Sequence, residues 1–312
     1  MTEPSRFGFT AMGSACMLHL HDADLWVAQA AETEVLRIEQ RYSRYRPDSL
    51  LSHINRVAAE GGSLEVDQET SALIDYAFAC HRQSGGLFDI TTGILRRAWN
   101  FSAGQAPAQP EIDRWLPLVG LDKISWKSPA LSFPVAGVEL DFGGIGKEYA
   151  ADRAAAVCQE SGVAHGLIEL GGDIRAIGPH PDGAPWDISI RDPRTRGQSL
   201  AQVALSTGAL ATSGDYERCI TIDGRRYGHI LNPHTGWPVL GLASVSVVAG
   251  TCLVAGSIST IALLRGVAGV GWLKERGLPC VWVDREGAQG GSLSFLRKPP
   301  LPPDNAVGHS EN

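Results

Sequence analysis

The feature that most constrains the fold is a glycine-rich turn that joins an apolar segment to a helix. Residues 139–142 read Glu-Leu-Asp-Phe, and Gly143-Gly144-Ile145-Gly146 then opens a helical pattern that runs through 152. Such a turn exposes backbone N–H groups and the positive end of the helix dipole, which favour an anion such as phosphate. The segment matches neither the P-loop nor the G-x-G-x-x-G fingerprint. A different phosphate site and an ordinary strand-to-helix turn both remain open.

The composition is that of an ordinary globular protein and argues against several other classes. Apolar residues make up 44% of the 312 residues and charged residues 20%, which argues against disorder. The formal net charge of −7 does not suggest nucleic acid or an anionic membrane as a partner. The first residues lack the apolar stretch of a signal peptide, so we expect a cytoplasmic protein without a membrane anchor.

Two further features agree with that expectation. The longest apolar run, near 242–264, is interrupted by serine, glycine and threonine, so it is typical of a strand followed by a buried helix rather than of a membrane span. Six cysteines are scattered without a C-x-x-C pair. This distribution fits reduced, mostly buried thiols better than a zinc site or a disulfide framework.

Hydrophobic periodicity predicts a single α+β unit in which mixed or antiparallel sheets are packed by helices. The predicted helices cover 23–42, 68–84, 111–119 and the apolar stretch that ends at 264. The predicted strands cover 131–135, 138–142, 166–170, 186–190, 202–206, 245–249 and 279–283. Asp223-Gly224 predicts a hairpin turn, and the proline-rich tail at 297–312 is expected to fray.

Three short polar clusters follow predicted elements, and each has a functional and a structural interpretation. Asp89, in the Gly86–Thr91 segment, can accept a ligand hydrogen bond or simply cap a helix. The hydroxyls and carboxylate of Thr212–Tyr216 can hold a phosphate or ribityl chain, or form a turn. His229 can act as acid or base near neutral pH, or be a satisfied structural side chain.

Taken in order, the polar and glycine motifs resemble the FAD:protein FMN transferase family, the ApbE proteins. The resemblance spans nearly the whole chain, as one domain at 8–296. It rests on Met12–Ser14, Tyr42–Ser49, Gly86–Thr91, Leu140–Asp152, Leu170–Asp173, Ala211–Tyr216 and His229–Gly236.

The resemblance implies an enzyme that binds FAD with a magnesium ion. It transfers the FMN moiety to a threonine of a target flavoprotein and releases AMP, whereas some members hydrolyse FAD to FMN and AMP. The implied FAD contacts are Met12, Tyr45, Leu87, Phe88, Asp89, Gly143, Tyr149 and Leu231. The implied metal ligands are the carbonyl of Gly146, an aspartate, and Thr260 one helical turn after that aspartate.

Two positions depart from the family pattern. The motif Ala-Asp-x-x-x-Thr reads Ala255-Gly256-Ser257-Ile258-Ser259-Thr260 here, so the expected anionic magnesium ligand is missing. Glu148 stands where the family usually has glycine. The sequence alone does not establish whether Glu148 replaces the lost charge.

The expected chemistry is attack of a hydroxyl on the FMN-side phosphorus of FAD. On this interpretation the turn at Gly143–Lys147 holds the pyrophosphate, and His229 or Asp215 takes the proton, with His229 preferred. Two other functions remain open: an FAD-binding protein that lost turnover with its metal ligand, and a magnesium-dependent FAD pyrophosphatase. Transfer ranks first because the remaining motifs are intact.

Overall fold

The computed structural model describes residues 3–102, 104–195, 197–216, 218–222 and 224–293. The α-helices are α1 (Leu25–Tyr42), α2 (Leu50–Ala59), α3 (Gln68–Ser84), α4 (Gln109–Trp115), α5 (Gly146–Glu160), α6 (Cys252–Leu264) and α7 (Ala268–Arg276). Short 3₁₀ helices cover Ile90–Arg97, Leu116–Leu118 and Leu121–Lys123. The strands are β1 (Ser5–Ala11), β2 (Ser14–Leu20), β3 (Ser63–Glu65), β4 (Ser125–Lys127), β5 (Ala130–Ser132), β6 (Gly166–Leu170), β7 (Asp173–Gly178), β8 (Trp186–Arg191), β9 (Ser199–Leu205), β10 (Gly208–Gly214), β11 (Cys219–Ile222), β12 (Arg225–Gly228), β13 (Leu242–Ala249), β14 (Cys280–Asp284) and β15 (Gln289–Gly291).

The framework is one large antiparallel sheet. Its strand order among the described residues is β1-β2-β6-β7-β10-β13-β14-β15, and each neighbouring pair is antiparallel. Smaller antiparallel sheets are formed by β3-β5-β4, by β8-β9 and by the β11-β12 hairpin. The α+β fold class with antiparallel sheets packed by helices is therefore confirmed.

Helices cover one face of the large sheet and bury their apolar side chains against it. Helix α6 packs on β10 and β13, α5 packs on β6 and β7, and α1 packs on α5. Helix α6 buries residues on most of its circumference, as expected for a helix held between a sheet and other helices. The β8-β9 ribbon joins the core on the side of Leu167, Ile174 and Val281, where Trp186, Ile188 and Ile190 are buried.

Most predicted elements are found within a few residues of their expected bounds. The helices expected at 23–42 and 68–84 are α1 and α3, and the helix expected at 111–119 is α4 with the 3₁₀ turn that follows it. The run at 242–264 is strand β13 followed by buried helix α6. Strands β11 and β12 pair on either side of the predicted hairpin turn, although Asp223 itself lies outside the described residues, as does the tail at 297–312. Among the helices that the structure describes, none is long and apolar enough to cross a bilayer.

The strand predicted at 138–142 is wrong. No residue of this segment belongs to a strand, and a side chain takes the place of a neighbouring strand. Asn55 on α2 accepts a hydrogen bond from the N–H of Leu140 at 2.8 Å and donates one to the carbonyl of Leu140 at 3.0 Å. One further bond joins the N–H of Asp141 to the carbonyl of Ile90 at 2.8 Å. The apolar residues Val138, Leu140 and Phe142 are buried as expected, but a side-chain amide rather than a strand satisfies the backbone of Leu140.

Candidate functional site

The main cleft lies where the glycine turn and the start of α5 face the end of β10 and helix α6. The sheet and α6 fix the position of β10, and the turn is fixed by its own backbone hydrogen bonds to Phe142. The lining residues are Leu87, Phe88, Asp89, Ile90, Thr92, Gly93, Arg96, Asp141, Gly143, Gly144, Lys147, Glu148, Gly171, Thr212, Ser213, Gly214, His229, Ile230, Leu231, Thr260 and Leu264.

The glycine turn is held in place by Asp141. Oδ1 of Asp141 accepts a hydrogen bond from the N–H of Gly143 at 2.8 Å. Its Oδ2 forms an ion pair with Arg44 at 3.0 Å, which neutralises the carboxylate. Helix α5 then begins at Gly146 without a side-chain cap. The first turn of this helix is therefore suited to hold an anion from the cleft.

Asp89 lies on the cleft, but its carboxylate oxygens accept hydrogen bonds from other residues of the protein. Oδ1 accepts hydrogen bonds from the N–H and the hydroxyl of Thr91 at 2.8 and 2.6 Å, and thereby caps the 3₁₀ helix. Oδ2 accepts a third bond from the N–H of Leu121 at 3.1 Å. The capping interpretation accounts for its side chain, and Asp89 shapes the wall between Phe88 and Ile90.

Lys147 and Asp173 form an ion pair beside the start of α5. The Lys147 ammonium donates to Oδ2 of Asp173, whose Oδ1 accepts a hydrogen bond from the N–H of Thr212 at 3.1 Å. Asp173 is only 2% exposed. Burial disfavours the charged lysine, but the carboxylates of Asp173 and Glu148 outweigh it and raise the pKa of Lys147. Lys147 therefore stays charged and joins the helix start to β7.

Glu148 and Gly256 share one space between α5 and α6. An added Cβ at Gly256 would lie 2.5 Å from Cγ and 3.0 Å from Oε1 of Glu148. The Glu148 residue is 7% exposed, and burial raises the pKa of its carboxyl group. Its Oε2 is buried without a hydrogen-bond partner among the described residues.

Hydroxyl groups from α6 and β10 reach the same part of the cleft. Thr260 follows Gly256 by one helical turn, so the two positions lie on one face of α6. The hydroxyl of Ser213 lies 2.9 Å from Oγ1 of Thr260 and 2.8 Å from Oγ of Ser259.

The oxygen atoms that face this part of the cleft are suitable ligands for the magnesium ion that the family resemblance implies. They are hard oxygen ligands: Oε2 of Glu148 and the hydroxyls of Thr260 and Ser213. Within the described ranges, no group of three or more His, Cys, Asp and Glu side chains forms a metal-binding cluster. The side chains available on the cleft are therefore oxygen ligands, which suit a hard cation better than a soft transition metal.

His229 is a neutral imidazole on the cleft. Burial, with the positive charges of Arg96 and Arg218, lowers the pKa of His229 to about 4. Its Nδ1 is buried and has no hydrogen-bond partner in the part of the chain that the structure describes. The ring is therefore deprotonated at neutral pH and can accept a proton.

Asp215, the other candidate base, is placed differently. Its carboxylate is buried and bound to Arg194, with Arg285 at 3.9 Å. The cleft lining among the described residues includes Gly214 but not Asp215.

The remaining sequence-predicted residues fall into two groups. Leu87, Phe88, Gly143, Leu231 and Thr260 line the cleft. Met12, Tyr45, Gly146 and Tyr149 do not, although Gly146 lies between Gly144 and Lys147, which do.

Each of the three outlying side chains has a defined place. Met12 has a positive φ of 53° and donates its N–H to Glu39 at 2.8 Å. Tyr149 donates its hydroxyl to Glu69 at 2.8 Å, on the α3 side of α5. Tyr45 is 71% exposed and accepts a hydrogen bond from Arg96 at 2.7 Å.

Arg96 and Asp141 line the cleft but were not predicted as site residues, and Ser213 was predicted only as part of the Thr212–Tyr216 cluster. Arg96 lines the cleft and links it to Tyr45. Asp141 lies inside the quoted glycine motif, and Ser213 lies inside the hydroxyl cluster, so both carried a local signal. No local sequence pattern marked Arg96 as a site residue. It lies on a 3₁₀ helix, and the cap at Asp89 sets the direction of that helix.

Comparison with known proteins gives a consistent result. The ApbE family model matches residues 12–282. The FAD:protein FMN transferase of Haemophilus influenzae is 30% identical over 237 residues, which is 72% of this chain and 68% of that protein. The enzyme of the same name from Vibrio cholerae is 29% identical over 262 residues, or 80% of this chain and 76% of that protein.

Solved structures agree with the sequence relatives. The crystal structure of the ApbE protein from Thermotoga maritima has a TM-score of 0.85 at 32% identity, covering 93% of this chain and 97% of that one. The flavin transferase ApbE from Vibrio cholerae has a TM-score of 0.83 at 25% identity, again covering 93% and 97%. The family resemblance read from the motifs is thereby confirmed: this chain belongs to the ApbE family.

Proposed function

We propose that this protein is a FAD:protein FMN transferase, an enzyme that moves the FMN moiety of FAD onto a protein acceptor. The observation that carries the proposal is that one cleft of an ApbE-family chain is lined both by residues at the uncapped start of helix α5, such as Lys147, and by the neutral imidazole of His229. The first group can hold phosphate and the second can take a proton, which are the two needs of phosphoryl transfer to a hydroxyl.

The pyrophosphate of FAD binds against Gly143–Lys147. The backbone of this segment is fixed by Asp141, so little ordering remains to be done when the anion binds. Leu87, Phe88 and Leu231 supply apolar walls for the flavin or adenine rings. Arg96 adds a cation on the same side, and its bond to Tyr45 extends the site towards the surface.

In the transfer step, the acceptor hydroxyl oxygen attacks the FMN-side phosphorus. A new phosphorus–oxygen bond to the acceptor forms, the bond from that phosphorus to the bridging oxygen breaks, and AMP leaves with the electron pair. The hydroxyl proton goes to the His229 imidazole. The negative pyrophosphate offsets the charges of Arg96 and Arg218 that lower the pKa of His229, so FAD itself makes this base stronger.

Three finer features belong to the same proposal. The acceptor residue is a threonine of a target flavoprotein. A magnesium ion held by Gly146, Thr260 and further oxygen donors of the cleft would neutralise charge on the phosphate oxygens. The reaction takes place in the cytoplasm, which the six free cysteine thiols support.

The test uses purified protein, FAD, Mg²⁺ and a threonine-bearing acceptor flavoprotein that the Vibrio cholerae relative labels in a parallel reaction. We expect fluorescent FMN covalently attached to the acceptor after denaturing electrophoresis, and an acceptor mass increase equal to FMN less water. The His229→Gln variant should transfer about 10²–10⁴-fold more slowly. FMN supplied in place of FAD is the control and should give no labelling.

The other two functions give different products in the same assay. Free FMN and AMP with an unlabelled acceptor would indicate an FAD pyrophosphatase. Bound FAD without turnover would indicate a binding protein that has lost catalysis. Either result, with the Vibrio cholerae enzyme active in parallel, would overturn the transferase proposal.

A further inference from the structure

We propose that Glu148 supplies the carboxylate that holds the divalent cation in this cleft, in exchange for the missing side chain at Gly256. This inference rests on the proposed function, because the cation concerned is the one that accompanies FAD. It assigns the anionic ligand to helix α5 rather than to α6.

The first support is the shared space. The expected carboxylate would start from a Cβ at position 256, and that Cβ position lies 2.5 Å from Cγ and 3.1 Å from Cδ of Glu148. The carboxyl end of Glu148 therefore already lies in the volume into which an aspartate at 256 would project. Glycine at 256 is what admits the longer side chain from α5.

The second support is an unsatisfied oxygen. Oε2 of Glu148 is buried and has no hydrogen-bond partner among the described residues. Buried carboxylate oxygens without a donor are costly and rare unless a cation or another ligand completes them. Glu148 also lines the cleft, so its side chain borders the space that FAD and an accompanying ion would enter.

The nearest ammonium does not already play that role. Lys147 Nζ lies 3.8 Å from Oε1 of Glu148, beyond hydrogen-bond distance, and its close partner is Asp173. The Lys147–Asp173 pair is itself fixed by the N–H of Thr212. A cation at Glu148 therefore need not displace an existing close ion pair of Glu148.

The third support is the set of neighbouring oxygens. Thr260 faces the same side of α6 as Gly256, and its hydroxyl lies 2.9 Å from that of Ser213. Gly146 precedes Glu148 by two residues in the first turn of α5. One carboxylate with hydroxyl, carbonyl, phosphate and water oxygens is the kind of ligand set that magnesium takes.

The experiment measures cation binding rather than transfer. Mn²⁺ is titrated into the full-length protein in the presence of ADP, a pyrophosphate that has no FMN to donate, and free Mn²⁺ is followed by electron paramagnetic resonance. We expect Glu148→Gln, which keeps the side-chain shape, to bind Mn²⁺ at least about tenfold more weakly than the wild type. Glu160→Gln is the matched control, because it removes one exposed carboxylate from the same helix, and it should bind within about twofold of wild type.

A second variant tests the exchange itself. Glu148→Gly combined with Gly256→Asp moves the carboxylate back to α6 and empties the shared space. We expect this double variant to recover Mn²⁺ affinity to within about fivefold of the wild type. Circular dichroism and thermal unfolding establish that each variant is folded before its binding is compared.

Two outcomes would overturn the inference: wild-type Mn²⁺ affinity in Glu148→Gln, or a folded double variant that binds no better than Glu148→Gln. Neither outcome depends on FMN transfer. Loss of Mn²⁺ binding in Glu148→Gln together with an inactive wild type would count against the transferase proposal alone. Active transfer together with Mn²⁺ binding that does not need Glu148 would count against this inference alone.

Discussion

Arg194 binds both carboxylate oxygens of Asp215, with Nη1 to Oδ1 at 2.8 Å and Nη2 to Oδ2 at 3.1 Å. This two-point geometry is the strong form of the arginine–carboxylate pair. It raises the pKa of Arg194 and joins the loop after β8 to the end of β10. Asp215 therefore has a structural partner in the place where the sequence suggested a base.

We expect Asp215→Asn to lower the free energy of unfolding by about 2 kcal/mol. The loss falls below the range for a fully buried pair, because the Arg194 side chain is 30% exposed. Urea denaturation measures it, and the transfer rate per folded molecule should change by less than about tenfold. A stable Asp215→Asn protein with transfer slowed as much as in His229→Gln would instead place Asp215 in the chemistry.

We expect Lys147→Met to cost about 3 kcal/mol of stability, because Asp173 is left buried without its ammonium. The double variant Lys147→Met with Asp173→Asn should recover at least about 1 kcal/mol, since the neutral amide still accepts the N–H of Thr212. Denaturant unfolding of the two single variants and the double variant gives this coupling. Strict additivity would show that the pair is not coupled.

We expect Gly93→Ala to destabilise the protein by about 1–3 kcal/mol and to weaken FAD binding. The added Cβ would lie 2.6 Å from Cβ of Asp141, whose carboxylate holds the N–H of Gly143. Flavin fluorescence quenching measures the affinity. Gly271→Ala is the control, because its Cβ meets nothing within 4 Å on helix α7 and alanine favours helix there.

We expect His229 to make the wild type acid-sensitive. The pKa of His229 falls from the ordinary 6.5 to about 4 on folding. Between pH 6.5 and about 4, the imidazole is therefore protonated in the unfolded chain but neutral in the folded chain. Its contribution to stability is fully present above pH 6.5 and is lost as the pH falls towards 4. Unfolding free energies from pH 7.5 to 4.5 should therefore drop more steeply for the wild type than for His229→Gln. Parallel curves would contradict the lowered pKa.

The sequence predicted the parts of the fold that depend on local pattern. Helices α1 and α3 follow from apolar spacing, and α3 ends at Gly85, which adopts the left-handed conformation that glycine favours. The strand at 138–142 was wrong because alternation predicts burial and not the partner of the backbone. That partner is Asn55, 85 residues away from Leu140.

The sequence predicted part of the cleft lining but not the pairings between its residues. The order of motifs placed His229, Gly143 and Thr260 in one cleft, as the structure does. Ion pairs such as Arg194 with Asp215 depend on how a loop returns to the sheet, and no local pattern reports this. The packing of Glu148 against Gly256 is of the same kind. A lone Gly256→Asp replacement, the obvious repair from sequence, would meet Cγ of Glu148.

The contact between positions 148 and 256 also restricts how such a chain can change over generations. Acidic side chains at both positions would overfill the space, and glycine at both would leave neither helix with a carboxylate there. The two workable arrangements are an acidic residue at 148 with glycine at 256, and the reverse. A first replacement on the way from one to the other therefore overfills the space or removes the carboxylate, and the second replacement corrects this. Residues at these positions should be inherited as a matched set across related genomes, acidic at one and small at the other.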